Sequence, residues 1–175
     1  MFINLTDVLT SQDKVITMQA ETDMTEVNIG GETFQIAEKS PVSFTFTNIG
    51  KNKALIEGKA ELVFSMNCDR CLKIVERKMV LDFSRTVHSG DSKETLSDED
   101  DDRDFMEGDQ LKVEELLINE IMINWPMKVL CKPDCKGLCP KCGKDLNTGD
   151  CGCDTFVPDP RMAVIKDIFN ADKEV

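Results

Sequence analysis

The feature that most restricts what this chain can fold into is its set of eight cysteines, spaced Cys68-x2-Cys71, Cys131-x3-Cys135-x3-Cys139-x2-Cys142 and Cys151-x-Cys153. Thiols this close either pair as disulfides or bind metal, and the compartment decides, because a reducing cytosol strips disulfides that secreted chains keep. The opening MFINLTDVLTSQDK has no basic n-region and no small-residue cleavage site, and Asp7 interrupts its apolar stretch. A cytoplasmic chain with metal-ligating cysteines is therefore expected. The most hydrophobic segment, VEELLINEIMINW, is broken by Glu and Asn, so no membrane span is expected.

A tetrahedral zinc takes four thiolates at about 2.3 Å, and two ligands two or three residues apart reach one ion from a single tight turn. CPKCG is such a turn: Pro140 restrains it, and Gly143 can take the positive φ that points backbone amides at a ligating sulfur. Cys151-Gly152-Cys153 returns a second pair after a turn through Asn147, Thr148 and Gly149. The first expected site is thus Cys139, Cys142, Cys151 and Cys153. The other four thiols also form two close pairs, and a second site of Cys68, Cys71, Cys131 and Cys135 would clip the C-terminal module to the preceding sheet. The competing partition puts Cys131, Cys135, Cys139 and Cys142 around one ion. Two structural zinc ions are expected, with an iron-sulfur cluster as the chemical alternative for the same thiolates. Four sulfurs per ion leave no open position for water or substrate, which a catalytic zinc requires.

The strands that carry these pairs are written as alternation. Val42, Phe44 and Phe46 alternate with Ser43, Thr45 and Thr47; Ile56, Gly58, Ala60, Leu62, Phe64 and Met66 form a second run; and Val75, Met79, Leu81, Phe83 and Val87 oppose Glu76, Lys78, Asp82, Ser84 and Thr86 in a third. Antiparallel strands with one wet face follow, and the turn joining the last two is Cys68-Asp69-Arg70-Cys71. Upstream, FINL, VITMQ and EVNIGGETFQI read as strands, with a hairpin turn at Gly30 and Gly31. QLKVEELLINEIMIN reads as a helix capped by Asp109 and stopped by Pro126, its apolar face (Val113, Leu116, Leu117, Ile118, Ile121, Met122, Ile123) packing on the sheet. Asp159-Pro160 opens a second helix with Met162, Ile165 and Phe169 on one side.

The fold class expected is α+β: an antiparallel β-sheet packed by one or two helices, with a small C-terminal Cys-rich zinc module. Its parts are a mainly β region over 1–88, an acidic flexible linker over 89–108, and a unit over 109–175 that packs on the sheet. Residues 91–109 hold ten acids against Lys93 and Arg103, a net of -8 out of -12 for the whole chain, and such a run reads as a solvated connector.

Groups that move protons are scarce: there is one histidine, His88, expected in an exposed loop, and no tyrosine. Neither nucleotide-binding loop motif occurs, so no enzyme is expected and no small-molecule substrate. A thiol redox role for Cys68 and Cys71 is the weaker reading, since thioredoxin-like C-x-x-C pairs open a helix and this one lies between strands. Lys128, Lys132, Lys136, Lys141 and Lys144 make a basic stretch, of which Lys136, Lys141 and Lys144 are the candidate nucleic-acid contacts. Each zinc with four thiolates carries a net charge of about -2, however, and these lysines largely offset the metal centres.

CDRCL after an alternating strand, a helix ending in WP, CKPDCKGLCPKCGKDLN followed by CGC, and DPRMAVIKDIF near the end together resemble the YceD family of large ribosomal RNA subunit accumulation proteins, over roughly residues 40–170. Some members keep the first C-x-x-C and lack most of the later cysteines, which is consistent with two separable sites. The resemblance implies a role in ribosome biogenesis and 23S rRNA accumulation. Taken with the charge and the missing catalytic groups, it leads to a non-enzymatic factor that grips ribosomal proteins or large-subunit assembly intermediates. A direct rRNA-binding zinc protein and a thiol redox protein are the alternatives.

Overall fold

A computed structural model describes residues 1–50, 52–89 and 105–153. The chain opens with a short strand, β1 (Phe2–Asn4), and a single helical turn and a half, α1 (Thr6–Thr10), before the sheet begins. Strands β2 (Val15–Ala20), β3 (Glu26–Ile29), β4 (Glu32–Lys39), β5 (Val42–Gly50), β6 (Lys53–Asn67) and β7 (Ile74–His88) follow. All pair antiparallel, with β6 as the spine: β5 and then β4 occupy one of its edges in succession, and β7 covers the whole of the other. β2 extends the sheet beyond β5, and β3 extends it beyond β4.

Alternation gives this sheet its one dry face. Along β6 the buried residues are Ala54, Ile56, Gly58, Ala60, Leu62, Phe64 and Met66, and they register with Val87, Phe83, Leu81 and Met79 of β7. Gly58 lies between Phe44 and Phe83 in the ladder, and a Cβ there would stand 2.2 Å from the Phe83 ring, so the missing side chain is what lets that ring lie across the strand. Phe83 then meets Phe44 edge-on at 6.3 Å between centroids.

Two short strands, β8 (Met106–Glu107) and β9 (Gln110–Lys112), and the helix α2 (Val113–Ile123) complete the described elements. The helix expected to begin at an Asp109 cap begins instead after Lys112. Gln110–Lys112 is strand because β1 lies alongside it, pairing Ile3 with Leu111, which is fully buried. Asp109 has other partners, accepting hydrogen bonds from Ser89 Oγ at 2.8 Å and Thr6 Oγ1 at 3.3 Å. The apolar face of α2 is also narrower than its composition implied. Val113, Leu116, Leu117 and Ile121 enter the core, whereas Met122 and Ile123 are 54% and 67% exposed. Glu120 is buried beside Ile121 in that turn, and its carboxylate meets Arg85 Nε of β7 at 2.6 Å.

Trp125, just past the helix, anchors the chain back on the sheet, its ring 4.7 Å from that of Phe34 and 5.3 Å from that of Phe64. The architecture is mostly antiparallel sheet with few helices, a form of the α+β class. His88 ends β7, at the end of the third alternating run, but is half-buried opposite Lys53 where an exposed side chain was expected. The helix expected from Asp159 lies outside the described residues, as does most of the acidic stretch. Among the described residues no helix is long and apolar enough to cross a membrane.

Candidate metal centres

β6 and β7 run in register to their common end, Asn67 opposite Ile74, and the turn between them presents the first pair of cysteines. It closes with Cys68 N–H donating to Lys73 O at 2.8 Å and Leu72 N–H to Cys68 O at 2.9 Å, with Leu72 in the left-handed region at φ 59°. Such a turn aims Cys68 and Cys71 inward, and both are buried. The chain leaving α2 is pinned beside it: Asp69 N–H donates to Val129 O at 2.9 Å, and Val129 N–H donates to the Asp69 carboxylate at 2.7 Å. This double link brings Cys131 and Cys135 onto the turn. Arg70 locks the arrangement, its guanidinium donating to Cys135 O at 2.6 Å while its carbonyl accepts Leu138 N–H at 3.1 Å.

The result is a first cluster of Cys68, Cys71, Cys131 and Cys135, whose sulfurs all lie within 4.8 Å of one another. Cys68 and Cys135 are 3.8 Å apart, and Cys71 and Cys131 are 3.5 Å apart. A tetrahedron with metal–sulfur bonds of about 2.3 Å has edges of about 3.8 Å. A disulfide needs about 2 Å. The sulfurs therefore stand at the spacing a divalent ion demands. Val75, Leu130 and Leu138 pack against Cys68, Cys71 and Cys135, while Cys131 is left exposed.

The second cluster gathers Cys139, Cys142, Cys151 and Cys153, again within 4.8 Å. Its turn repeats the first: Gly143 N–H donates to Cys139 O at 2.9 Å, and Cys139 N–H to Lys144 O at 2.9 Å. Gly143 has the positive φ, 72°, expected from its place after the turn. This cluster is the more open, with Cys139 buried, Cys142 exposed and the last two intermediate. The competing quartet of Cys131, Cys135, Cys139 and Cys142 is divided between the two clusters.

Residues 56–169 match the family model described as large ribosomal RNA subunit accumulation protein YceD. The chain belongs to this family. Curated relatives of this YceD chain include uncharacterized proteins of Mycobacterium bovis and of two Mycobacterium tuberculosis strains, each 29% identical over 79 residues. The shared stretch is 45% of this chain and 38% of each relative, so the chain spans well under half the length of the relatives it matches. No solved structure matches.

Electrostatics divide the thiols of this YceD chain within each cluster. Burial opposes ionisation of Cys68, yet the backbone N–H groups of Arg70, Cys131 and Cys71 outweigh it and bring the thiol down to about 6. Amides of Cys142 and Lys141 bring Cys139 down to about 6 in the same way, against burial. Cys131 and Cys153 are the thiols held highest. Cys131 is pushed up to about 12 by desolvation and by Cys135, Cys71 and Cys68, and Cys153 to about 12 by Cys142 and Cys151. Four thiolates cannot share so small a volume without a cation, and a divalent ion held there would supply the opposing charge.

The lysines expected to face nucleic acid are exposed, and part of their charge is already engaged. Of the three, Lys144 engages its ammonium, with Nζ donating to Asp150 O at 2.9 Å, whereas Lys136 bonds Asn147 Oδ1 through its backbone N–H at 2.9 Å. Lys141 stands on the outer rim of the second turn, also exposed. Sequence reasoning did not single out Arg70, Lys73, Asp145 or Asn147. Lys73 Nζ meets Asp145 Oδ2 at 2.7 Å, and this lysine draws the Asp145 carboxyl down to about 2, helped by the N–H groups of Asn147.

Proposed function

We propose that this YceD-family chain is a non-enzymatic factor in accumulation of the large-subunit ribosomal RNA, acting as a zinc-stabilised scaffold that holds a basic ribosomal protein or a large-subunit precursor. The observation that carries the reading is the closure of both clusters. Eight sulfurs point into two four-sulfur sites, and a site filled by four thiolates offers no coordination position for turnover. Both ligand sets suit zinc, which is borderline-soft and indifferent to the small distortions between 3.5 and 3.8 Å seen in the first cluster.

The family description supplies the large-subunit connection. The net charge of -12 supplies the kind of partner, since a chain this acidic attracts basic proteins at long range and repels phosphate backbones. A thiol redox role draws no support from the first turn, because Cys68 and Cys71 share a site with Cys131 and Cys135 at the tip of a hairpin.

Affinity capture of the tagged chain at low and high salt tests the proposal. Recovery of ribosomal proteins or precursors at about 50 mM salt, fading as salt rises, is the expected result. Recovery of neither refutes the scaffold role. Triple replacement of Lys136, Lys141 and Lys144 by Glu separates this reading from direct RNA contact: capture persists here, and is abolished if the lysines bind rRNA.

A further inference from the structure

Hydrogen bonds across the two clusters single out one side chain. Asn147 lies in the loop from Cys142 to Cys151, so the second cluster tethers both ends of that loop. Its amide nevertheless reaches the first cluster, with Nδ2 3.4 Å from Cys135 Sγ. Both atoms of the amide are assigned by their neighbours. Oδ1 accepts the Lys136 N–H at 2.9 Å, and Nδ2 donates to Asp145 Oδ1 at 2.7 Å, so a flipped amide would set donor against donor.

Asp145 is itself fixed from the first turn, through Lys73 Nζ at 2.7 Å, and Lys73 O accepts the Cys68 N–H at 2.8 Å. A continuous path therefore runs from the turn of Cys68 and Cys71, through the loop of the second cluster, to the Cys135 ligand of the first. Two further backbone links tie that loop down, Leu138 pairing with Asp145 and Leu146 N–H donating to Gly137 O at 2.9 Å, while Thr148 N–H donates to Asp145 O at 3.1 Å within it.

We propose that Asn147 is a positioning residue that couples the two metal centres: an ion in the second fixes its loop, and the amide so held stabilises the Cys135 thiolate of the first. The inference rests on the metal reading of both clusters. A divalent ion with four thiolates carries a net charge of about -2, and each N–H aimed at a ligating sulfur disperses part of it. Partners of metal ligands typically alter affinity by about 10- to 100-fold. Coupling by this route is reciprocal, so the first ion raises affinity at the second by the same factor.

The test uses the full chain loaded with cadmium-113, whose two thiolate resonances report the centres separately, titrated against a chelator. Asn147→Ala is expected to shift the resonance of the first centre and to weaken that centre about tenfold. Asn147→Asp, which keeps the shape and puts a carboxylate beside the sulfur, weakens it further. A Cys142→Ser, Cys151→Ser variant leaves Asn147 in place and frees its loop, so it also costs the first centre about tenfold, and adding Asn147→Ala to it costs little more.

If the wild-type chain binds two cadmium ions but the cysteine variant loses nothing at the first centre, or the losses simply multiply, the coupling is overturned and the metal reading stands. A wild-type chain that takes up no cadmium overturns both. If Asn147→Ala fails to fold, the cysteine variant alone decides, because its loss or retention of affinity at the first centre measures the same coupling.

Discussion

Replacing Gly137 by alanine probes the seam between the sheet and the cysteine-rich segment. Gly137 has φ 79°, and a Cβ there would stand 2.9 Å from Arg70 O and 3.3 Å from Arg70 Cβ. The left-handed conformation costs a residue with a Cβ about 1–2 kcal/mol. Arg70 O belongs to the backbone between two ligands and cannot retreat without breaking its hydrogen bond from Leu138 N–H, worth about 1 kcal/mol. Alanine returns about 0.4–1 kcal/mol by restricting the open chain. The net cost is about 2 kcal/mol, which falls on the metal-bound conformation and lowers affinity at the first centre about 30-fold. Gly143 is the internal comparison, because its φ is 72° but nothing lies within 4 Å of the added Cβ. Gly143→Ala meets only the conformational cost, about 0.5–1 kcal/mol, or roughly a two- to fivefold loss at the second centre. Zinc competition against a chromophoric chelator, with each ion followed separately, measures both. If Gly137→Ala binds within threefold of wild type, or Gly143→Ala loses as much, the close approach to Arg70 does not hold the first centre together.

Stripping metal is expected to leave the strand signal in far-ultraviolet circular dichroism largely intact, because the apolar core contains none of the eight cysteines, while protease sites open between residues 128 and 153. Mass mapping of the fragments checks this, and early cuts inside β5 to β7 contradict it. Metal uptake at pH 7.5 releases at least about two protons at the first centre, because Cys71 is raised and Cys131 stands at about 12, while Cys68, at about 6, is ionised already and Cys135 is lowered. Calorimetry in buffers of different ionisation enthalpy counts them, and affinity falls as pH drops from 7.5 and falls more steeply below about 6, where Cys68 and Cys139 also regain protons. Arg85→Ala strands the buried Glu120 carboxylate and costs about 1–3 kcal/mol, discounted because Arg85 is partly exposed, whereas Glu120→Met costs less. Urea unfolding followed by the single tryptophan, Trp125, ranks the two, and the reverse order contradicts the ion-pair argument.

The strands β5, β6 and β7 were legible because one buried face imposes a period of two on their residues. The hairpin at Gly30 and Gly31 was legible for another reason, since both glycines take positive φ, 62° and 89°. Harder to read was everything that depends on a distant partner. Gln110–Lys112 suits a helix and becomes strand only because Phe2–Asn4 lies beside it, more than one hundred positions away in sequence. Thr6–Thr10 is too short to show a helical period, and its end is secured from β5, where Asn48 Nδ2 donates to Val8 O at 2.6 Å.

Glu120 has the composition of a solvent-facing position, and Arg85 of β7 makes its burial tolerable. At the candidate centres, the pairs of cysteines announce themselves by spacing, while Asn147 reads as an ordinary turn residue. Its role as donor to a sulfur twelve positions upstream leaves no local trace, although Asp145-x-Asn147 between two cysteine pairs is a pattern that repays attention.

The long reach between Cys71 and Cys131 also sets a schedule. During synthesis at about 5–20 residues per second, the hairpin bearing Cys68 and Cys71 is complete several seconds before Cys135 exists. Through that interval the nascent chain carries half a binding site, two thiols without their counterparts. Whatever protects them then, a loosely held ion or the reducing pool of the cell, guards the step on which correct pairing of sulfurs depends.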